Sequence, residues 1–152
     1  MSSTLRVSLT PSLKRALEGA AALPLLDSTG PWVTLGGAQG ADGLAIPVVP
    51  SATTLFGPRG ACLVAPNGPM WVSDTGHHRL LGWQRTPVTD DTPADWVIGQ
   101  PDFAHEGRNA KGDPSASTLN VPTGICACGD GLAVADAWNH RVLIWKKLPA
   151  QS

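Results

Sequence analysis

The sequence predicts an all-β fold built from two copies of one four-stranded antiparallel unit. The first indication is an internal repeat, because DTGHHRLLGW at residues 74–83 returns as DAWNHRVLIW at residues 136–145. The second is the composition, in which 17 glycines and 14 prolines separate short apolar runs, as is typical of many turns and few long helices. Self-similarity at a fixed spacing indicates a fold assembled from repeated supersecondary units.

The N-terminal residues 1–31 lie outside the repeat and are predicted to form a separate extension. Pro11 could occupy the first turn of a helix through LKRALEGAAAL that ends before Pro24. Gly19 and the run of alanines make this helix marginal on its own. The segment is therefore expected to be helical or irregular, and the sequence leaves open whether it is an ordered cap or a mobile tail.

Each copy is predicted to begin with a single linker strand, WVTLG at 32–36 and WVIGQ at 96–100. Both are followed by a stretch rich in glycine, proline, alanine and aspartate, at 37–57 and 101–121. Such stretches are typical of long surface loops, where binding residues are often found.

A three-stranded meander is predicted next in each copy, at 59–84 and 123–146. Pro58 and Pro122 indicate where the first strands begin, because proline cannot donate a hydrogen bond to a sheet. The sequences PNGP and GDG then predict the tight turns that join first to second strands. The predicted organisation is an extension at 1–31, two repeats at 32–147 and a tail at 148–152.

The apolar pattern of the strands predicts that the sheets stack against one another. In RVLIW, Val142 and Ile144 lie on one face of the strand, and Leu143 and Trp145 lie on the other. A sheet that is apolar on both faces must be covered on both sides. Four-stranded repeats that stack around an axis form a β-propeller, which has typically 4 to 8 blades.

Counting the predicted strands indicates a partial propeller. The second meander has no linker strand after it, and the linker strand at 32–36 has no meander before it. Two blades cannot close a ring, so we expect their outer faces to expose side chains such as Val142 and Ile144. The sequence leaves two explanations open: a truncated form of a longer propeller, or a subunit of which three copies assemble head to tail into six blades.

Composition narrows the classes of partner. The formal net charge is −1, so no basic field favours nucleic acid or acidic lipid, and no apolar run approaches the ~20 residues of a membrane span. Three cysteines are too few, and odd in number, for a disulfide framework. We therefore expect a cytoplasmic protein that binds a protein partner or itself, with no membrane contact, and we do not expect nucleic acid binding.

Eight residues of the second copy fit one known repeat pattern: Pro122, Gly124, Val134, Asp136, Asn139, His140, Arg141 and Val142. The first copy has His77 where asparagine is usual in that pattern and Leu80 where valine is usual. In these residues the second copy resembles the NHL repeat family, and the first copy resembles it with substitutions. The resemblance implies a propeller that serves as a rigid platform for protein, nucleic acid or small ligands, and in a minority of members a metal-dependent enzyme.

The polar residues that recur in both copies are predicted to be structural, because a turn is needed in every blade whereas a catalytic residue is needed once. We expect the repeated aspartates to accept N–H groups of the turn that follows them, and the repeated histidines to hold one blade to the next. Cys62 and Cys126 match in the repeat, which predicts small buried residues. The predicted framework consists of Asp74, His78, Arg79, Asp136, Asn139, His140 and Arg141.

The residues that do not repeat are the better candidates for function. Trp138 lies in a predicted turn and has no counterpart, and the loop at 101–121 carries charged and aromatic side chains. We therefore predict a non-catalytic binding or scaffold module that needs no cofactor. Its candidate binding residues are Gln100, Asp102, Phe103, Arg108, Lys111 and Trp138.

The alternative is a metal-dependent propeller enzyme of the lyase or lactonase type. His78 and His140 from adjacent blades could converge near the axis, with His77 or His105 as a further ligand, because neutral imidazole is a common metal ligand. The sequence shows neither a glycine-rich phosphate loop nor a serine nucleophile motif.

Overall fold

The computed structural model describes residues 28–37 and 49–148. The predicted helical or irregular segment lies almost wholly outside them, as do most of the first long loop and the tail from residue 149. By backbone contacts the chain divides between Pro31 and Trp32, and all described strands lie in the second part.

The described residues form two antiparallel sheets. The first sheet contains strands β1 to β4 in sequence order, and the second contains β5 to β7 in sequence order. Among these residues the helical elements are two short 3₁₀ turns, at Thr75–His77 and Ala137–Asn139, and the turn at Arg108–Lys111 has left-handed backbone at Asn109 and Ala110. The strands are β1 (Gly60–Leu63), β2 (Met70–Asp74), β3 (Arg79–Trp83), β4 (Trp96–Ile98), β5 (Pro122–Cys128), β6 (Gly131–Asp136) and β7 (Arg141–Trp145). The all-β prediction is therefore confirmed.

The linker strands are where the structure departs from the sequence prediction. The strand predicted at 96–100 is present as β4 but ends at Ile98, and the strand predicted at 32–36 is wrong, because this segment is irregular. A strand needs a neighbouring strand to satisfy its N–H and C=O groups. β4 has that neighbour in β3, whereas the segment at 32–36 packs on a face of the first sheet through Leu35. The free edge of the second sheet, at β7, has no further strand among the described residues. The second sheet consequently has three strands, not the four of a complete blade.

The two sheets pack face to face through one apolar core. Its buried residues come from both sheets and from the loop between them, and β1 contacts β5 closely. The ring of Trp71 stacks on that of Trp96, with ring centroids 5.6 Å apart. The buried members of this core are Trp71, Leu80, Leu119, Leu132 and Val134. This packing is that of two adjacent blades of a partial β-propeller.

The faces that point away from this shared core differ between the two sheets. Leu35 and Leu55 pack over the first sheet, where they contact a cluster that includes Leu81 and Trp83. The second sheet has no such cover among the described residues, and Val142 and Ile144 are 62% and 64% exposed. The predicted exposure of an outer face is therefore confirmed for the second sheet alone.

The cysteines of the two sheets also differ in burial. Cys62 is half-buried against the shared core, and burial raises the pKa of its thiol. Cys126 and Cys128 are exposed, so the expectation of a buried Cys126 was wrong. The physical reason is that Cys126 lies on the outer face of β5, which no described residue covers.

Candidate functional site

One end of both sheets carries most of the polar residues that the sequence singles out. Because β2 and β4 run in the same direction, the turn after β2 and the loop after β4 leave the first sheet at the same end. The turn after β6 leaves the second sheet where that loop enters β5. We call the surface formed by residues 75–78, 99–121 and 137–140 the loop end.

Asp74 is the centre of a buried polar network in the first sheet. Its Oδ1 accepts the backbone N–H of Phe56 at 2.6 Å, and its Oδ2 accepts Nε–H of Arg79 at 2.8 Å. Nδ1 of His77 lies 2.8 Å from the same Oδ2. All three polar side chains are fully buried, so the charges of Asp74 and Arg79 offset each other away from water.

Asp136 repeats this network in the second sheet. Its Oδ1 accepts the backbone N–H of Asn120 at 2.7 Å. Its Oδ2 accepts Nδ2–H of Asn139 at 2.7 Å and Nε–H of Arg141 at 2.8 Å. His77 and Asn139 therefore occupy equivalent places, because each presents a nitrogen to the carboxylate.

The partner of each aspartate differs from the sequence expectation. Both carboxylates accept the N–H of a residue that lies before the first strand of the meander, and neither makes a side-chain cap to the turn that follows. The expected bond to the backbone of that turn was wrong, because each Oδ1 accepts an N–H that lies before the meander. The turn is bonded through a side chain instead, since each Oδ2 bonds His77 or Asn139. Each aspartate thus joins the long loop to its own turn.

The two arginines anchor the same loops through backbone carbonyls. Nη2–H of Arg79 donates to the carbonyls of Ser51 and Thr54 at 2.9 and 3.0 Å. Nη2–H of Arg141 donates to those of Ser115 and Thr118 at 2.7 and 2.9 Å. These bonds explain why SATT and SAST recur in the sequence beside the repeated arginines.

His78 lies between the two repeats. Its backbone is left-handed, with a φ of 57°, and its Nδ1 accepts the N–H of Val121 at 3.0 Å. Burial lowers the pKa of His78, and the nearby Arg108 lowers it further. His140 has the same backbone conformation but is exposed. Within the described ranges, no three histidine, cysteine or acidic side chains come together as a metal site, so His78 and His140 do not meet in one.

Gln100 and Phe103 support the loop that begins at residue 99. Nε2–H of Gln100 donates to the carbonyl of Gly107 at 2.8 Å and to those of His77 and His78 at 3.3 Å. Phe103 packs against the first sheet, and its carbonyl accepts Nη1–H of Arg79 at 2.6 Å. The structure places both residues beneath the surface of the loop end rather than on it.

Arg108 and Trp138 are brought together on that surface. The guanidinium carbon of Arg108 lies 5.2 Å from the ring centroid of Trp138, which is 57% exposed. Next to them, Nδ2–H of Asn139 donates to Oδ1 of Asn109 at 2.8 Å, and Nδ2–H of Asn109 donates back at 3.3 Å. This pair of amides fixes the loop that carries Arg108 to the turn that carries Trp138. We call Arg108 and Trp138 the Arg–Trp patch.

The remaining candidates, Asp102 and Lys111, take no part in the described contacts of the Arg–Trp patch. Asp102 pairs with His105 across 2.6 Å, and hydrogen bonds from His105 and from the Ala104 N–H lower the pKa of this exposed carboxyl. Lys111 is exposed, with a φ of 65°.

Sequence reasoning missed Glu106 and Asn109. Glu106 Oε2 lies 3.7 Å from Nε2 of His77, and Asn109 forms the amide bridge to Asn139. The signal for Asn109 was its place in GRNAKG, where flanking glycines indicate a tight turn that asparagine tolerates.

Comparison with known families matches residues 119–145 to the NHL repeat. The match begins just before β5 and ends at the last residue of β7, so it contains the complete Asp136 network. The predicted resemblance is therefore confirmed, and the matched part of the chain is its second repeat. No curated protein matches the chain. None of the described helical elements is long and apolar enough to cross a membrane.

Proposed function

We propose that this propeller-type module is a non-catalytic platform that binds a protein partner at its loop end. The observation that carries the proposal is the exposed Arg–Trp patch, which has no counterpart in the first repeat. Tryptophan and arginine are the residues most enriched among those that dominate binding energy at protein interfaces. The proposed module comprises residues 32–147, and residues 1–31 form an extension. We propose that the protein acts in the cytoplasm.

The surroundings of the patch support a binding role. The side-chain amides of Asn109 and Asn139, which directly follow Arg108 and Trp138 in the chain, are hydrogen-bonded to each other. Gln100 donates to three backbone carbonyls and so holds the loop at 99–121 in place. A contact residue that is already held in place loses less conformational entropy on binding. A rigid frame beneath two exposed side chains is therefore suited to recognition.

The charges of the loop end favour protein over nucleic acid. Arg108 and Lys111 are accompanied by three acidic residues on the same loop, so the surface carries both signs. Nucleic acid sites show a clustered basic surface instead. The acidic residues are Asp102, Glu106 and Asp113.

The test is capture of the partner by the immobilised 152-residue protein, with Trp138→Ala as the variant. The captured protein is identified by mass spectrometry. We expect its amount to decrease at least about tenfold in Trp138→Ala, because truncation of such a residue costs about 2 kcal/mol or more of binding free energy. Trp32→Ala is the matched control. Trp32 is 76% exposed and lies near Asn67 and Arg85, at the opposite end of the first sheet.

The Trp32→Ala variant should retain full capture. Equal capture by Trp138→Ala and the unaltered protein would contradict the proposal, as would loss in Trp32→Ala alone. Arg108→Gln gives an independent check, since it removes the cation and leaves Trp138 in place, and it should weaken capture as well.

A further inference from the structure

The outer face of the second sheet is apolar and exposed. We define it by Gly124, Cys126, Ala133, Ala135, Val142 and Ile144, which share one side of β5, β6 and β7. Val142 and Ile144 are adjacent on this side and are both more than half exposed. Contiguous apolar patches of this kind, unlike single exposed residues, mark interaction surfaces.

The repeat shows that this face is of the type that packs against another sheet. In the first sheet its counterparts are Cys62, Trp71 and Leu80, at the positions of Cys126, Ala133 and Val142. All three counterparts pack in the core between the two sheets. The outer face of the second sheet thus corresponds to the face of the first sheet that packs on the second sheet.

A head-to-tail partner would have to present the other face of the first sheet. That face carries Leu81 and Trp83, the counterparts of Leu143 and Trp145, which contact the first sheet within the chain. It is already occupied, because Leu35 and Leu55 pack on it and both Leu81 and Trp83 are buried. The structure therefore disfavours the head-to-tail ring that the sequence suggested as one explanation.

The outer face combines an apolar ridge with small residues. Val142 and Ile144 form a ridge on β7, and beside it lies a groove of about 360 Å³ whose walls include Gly124, Ala133 and Ala135. A two-fold axis would place the ridge of each copy over the small residues of the other. None of the six residues that define the face is charged, so pairing these residues opposes no like charges.

We propose that two copies of this chain pair through the outer faces of their second sheets, as a closed two-fold dimer. Sheets that pack face to face lie about 10 Å apart and interdigitate their side chains, as the ridge and groove allow. The pairing uses neither the Arg–Trp patch nor a third molecule. It therefore stands or falls separately from the proposed function at the loop end.

The test is the mass of the purified protein in sedimentation equilibrium over a range of concentrations. We expect a dimer of twice the 15.8 kDa chain, and Ile144→Lys should raise its dissociation constant at least about tenfold, because the interface would bury an unpaired charge. Val88→Lys is the matched control, since Val88 is 63% exposed and lies beside Trp32, away from the second sheet. This control should dimerise like the unaltered protein.

Cys126 supplies a second readout. Its labelling by a thiol reagent, followed by mass spectrometry, should slow as the concentration of the unaltered protein rises, and should not slow in Ile144→Lys. Val142→Lys should reproduce the result, and circular dichroism would show that each variant is folded. A monomer at all concentrations would overturn the proposal. An assembly of three or more chains, or a dimer unaffected by both lysine variants, would do the same.

Discussion

The two repeats hold the same polar network in different surroundings. In the first, Asp74 and Arg79 are completely buried beneath the segment at 49–56 and the loop that follows β4. In the second, Asp136 is buried but the Arg141 side chain is 28% exposed. The hydrogen bonds have nearly equal lengths, so the geometry alone does not distinguish the repeats.

The two networks have the same hydrogen bonds, so we expect their contributions to stability to differ through burial. The network that neighbouring residues shield from water should contribute more. The first sheet has a fourth strand and apolar residues on both faces, so water cannot replace a lost partner. The second sheet has three strands and one open face. Equivalent substitutions in the two repeats should therefore have unequal effects on the free energy of unfolding.

The largest difference is expected for the two arginines. Arg79→Met should lower the free energy of unfolding by about 3–5 kcal/mol, because it leaves Asp74 buried without its charge partner. Arg141→Met should cost about 1–2 kcal/mol, since water can reach the site. Urea unfolding of the two variants at one protein concentration measures both. Equal costs would show that the exposure of Arg141 does not matter.

A smaller difference is expected for two glycines at the same repeat position. A Cβ at Gly60 would lie 2.6 Å from the carbonyl oxygen of Thr123, where backbone of one sheet meets backbone of the other. A Cβ at Gly124 would meet only Ala135, at 3.9 Å. Gly60→Ala should therefore cost about 1–3 kcal/mol through overpacking.

Gly124→Ala is the control for that substitution, because it makes the same chemical change at the uncovered sheet. In the monomer it should be neutral or should stabilise by up to about 1 kcal/mol, since alanine restricts the unfolded chain. Thermal unfolding followed by circular dichroism measures both variants, at protein concentrations too low for two copies to pair. A loss in Gly124→Ala as large as that in Gly60→Ala would mean that something covers β5 from the outside.

The sequence predicted those features that depend on neighbours along the chain or on repetition. The sequence identity between the two repeats identified Asp74, Arg79 and their counterparts. Because successive side chains of a strand lie on opposite faces, RVLIW placed Val142 and Ile144 on one face. These inferences hold because strand periodicity is a local property of the backbone. The strand predicted at 32–36 failed because forming a strand depends on a partner elsewhere.

The rest of the candidate site depends on contacts between distant residues. Arg108 and Trp138 are thirty positions apart and have no repeated partner to predict their meeting. The aspartates bond to N–H groups 18 and 16 residues upstream, in the irregular loops that precede β1 and β5. No periodicity describes such loops, so only the folded chain shows that a single loop presents Arg108 and supports Trp138.

The smallest difference is expected between the two left-handed histidines, and it depends on pH. His78 accepts the N–H of Val121 at Nδ1, and it lies near Arg108, His77 and Glu106, of which Glu106 opposes the lowering of its pKa. Because the folded pKa is lowered, the unfolded chain binds a proton first, near pH 6.5. Stability from His78 is therefore complete above that pH and decreases as the pH falls toward the folded pKa.

His78→Asn should reduce this decrease between pH 7 and pH 5, because asparagine also tolerates the left-handed backbone but does not titrate. His140→Asn is the matched variant in the second repeat, on an exposed turn with a φ of 53°. Urea unfolding at several pH values measures the slope for each. If His140→Asn flattens the slope as much as His78→Asn, then contact between the repeats is not what makes His78 sensitive to pH.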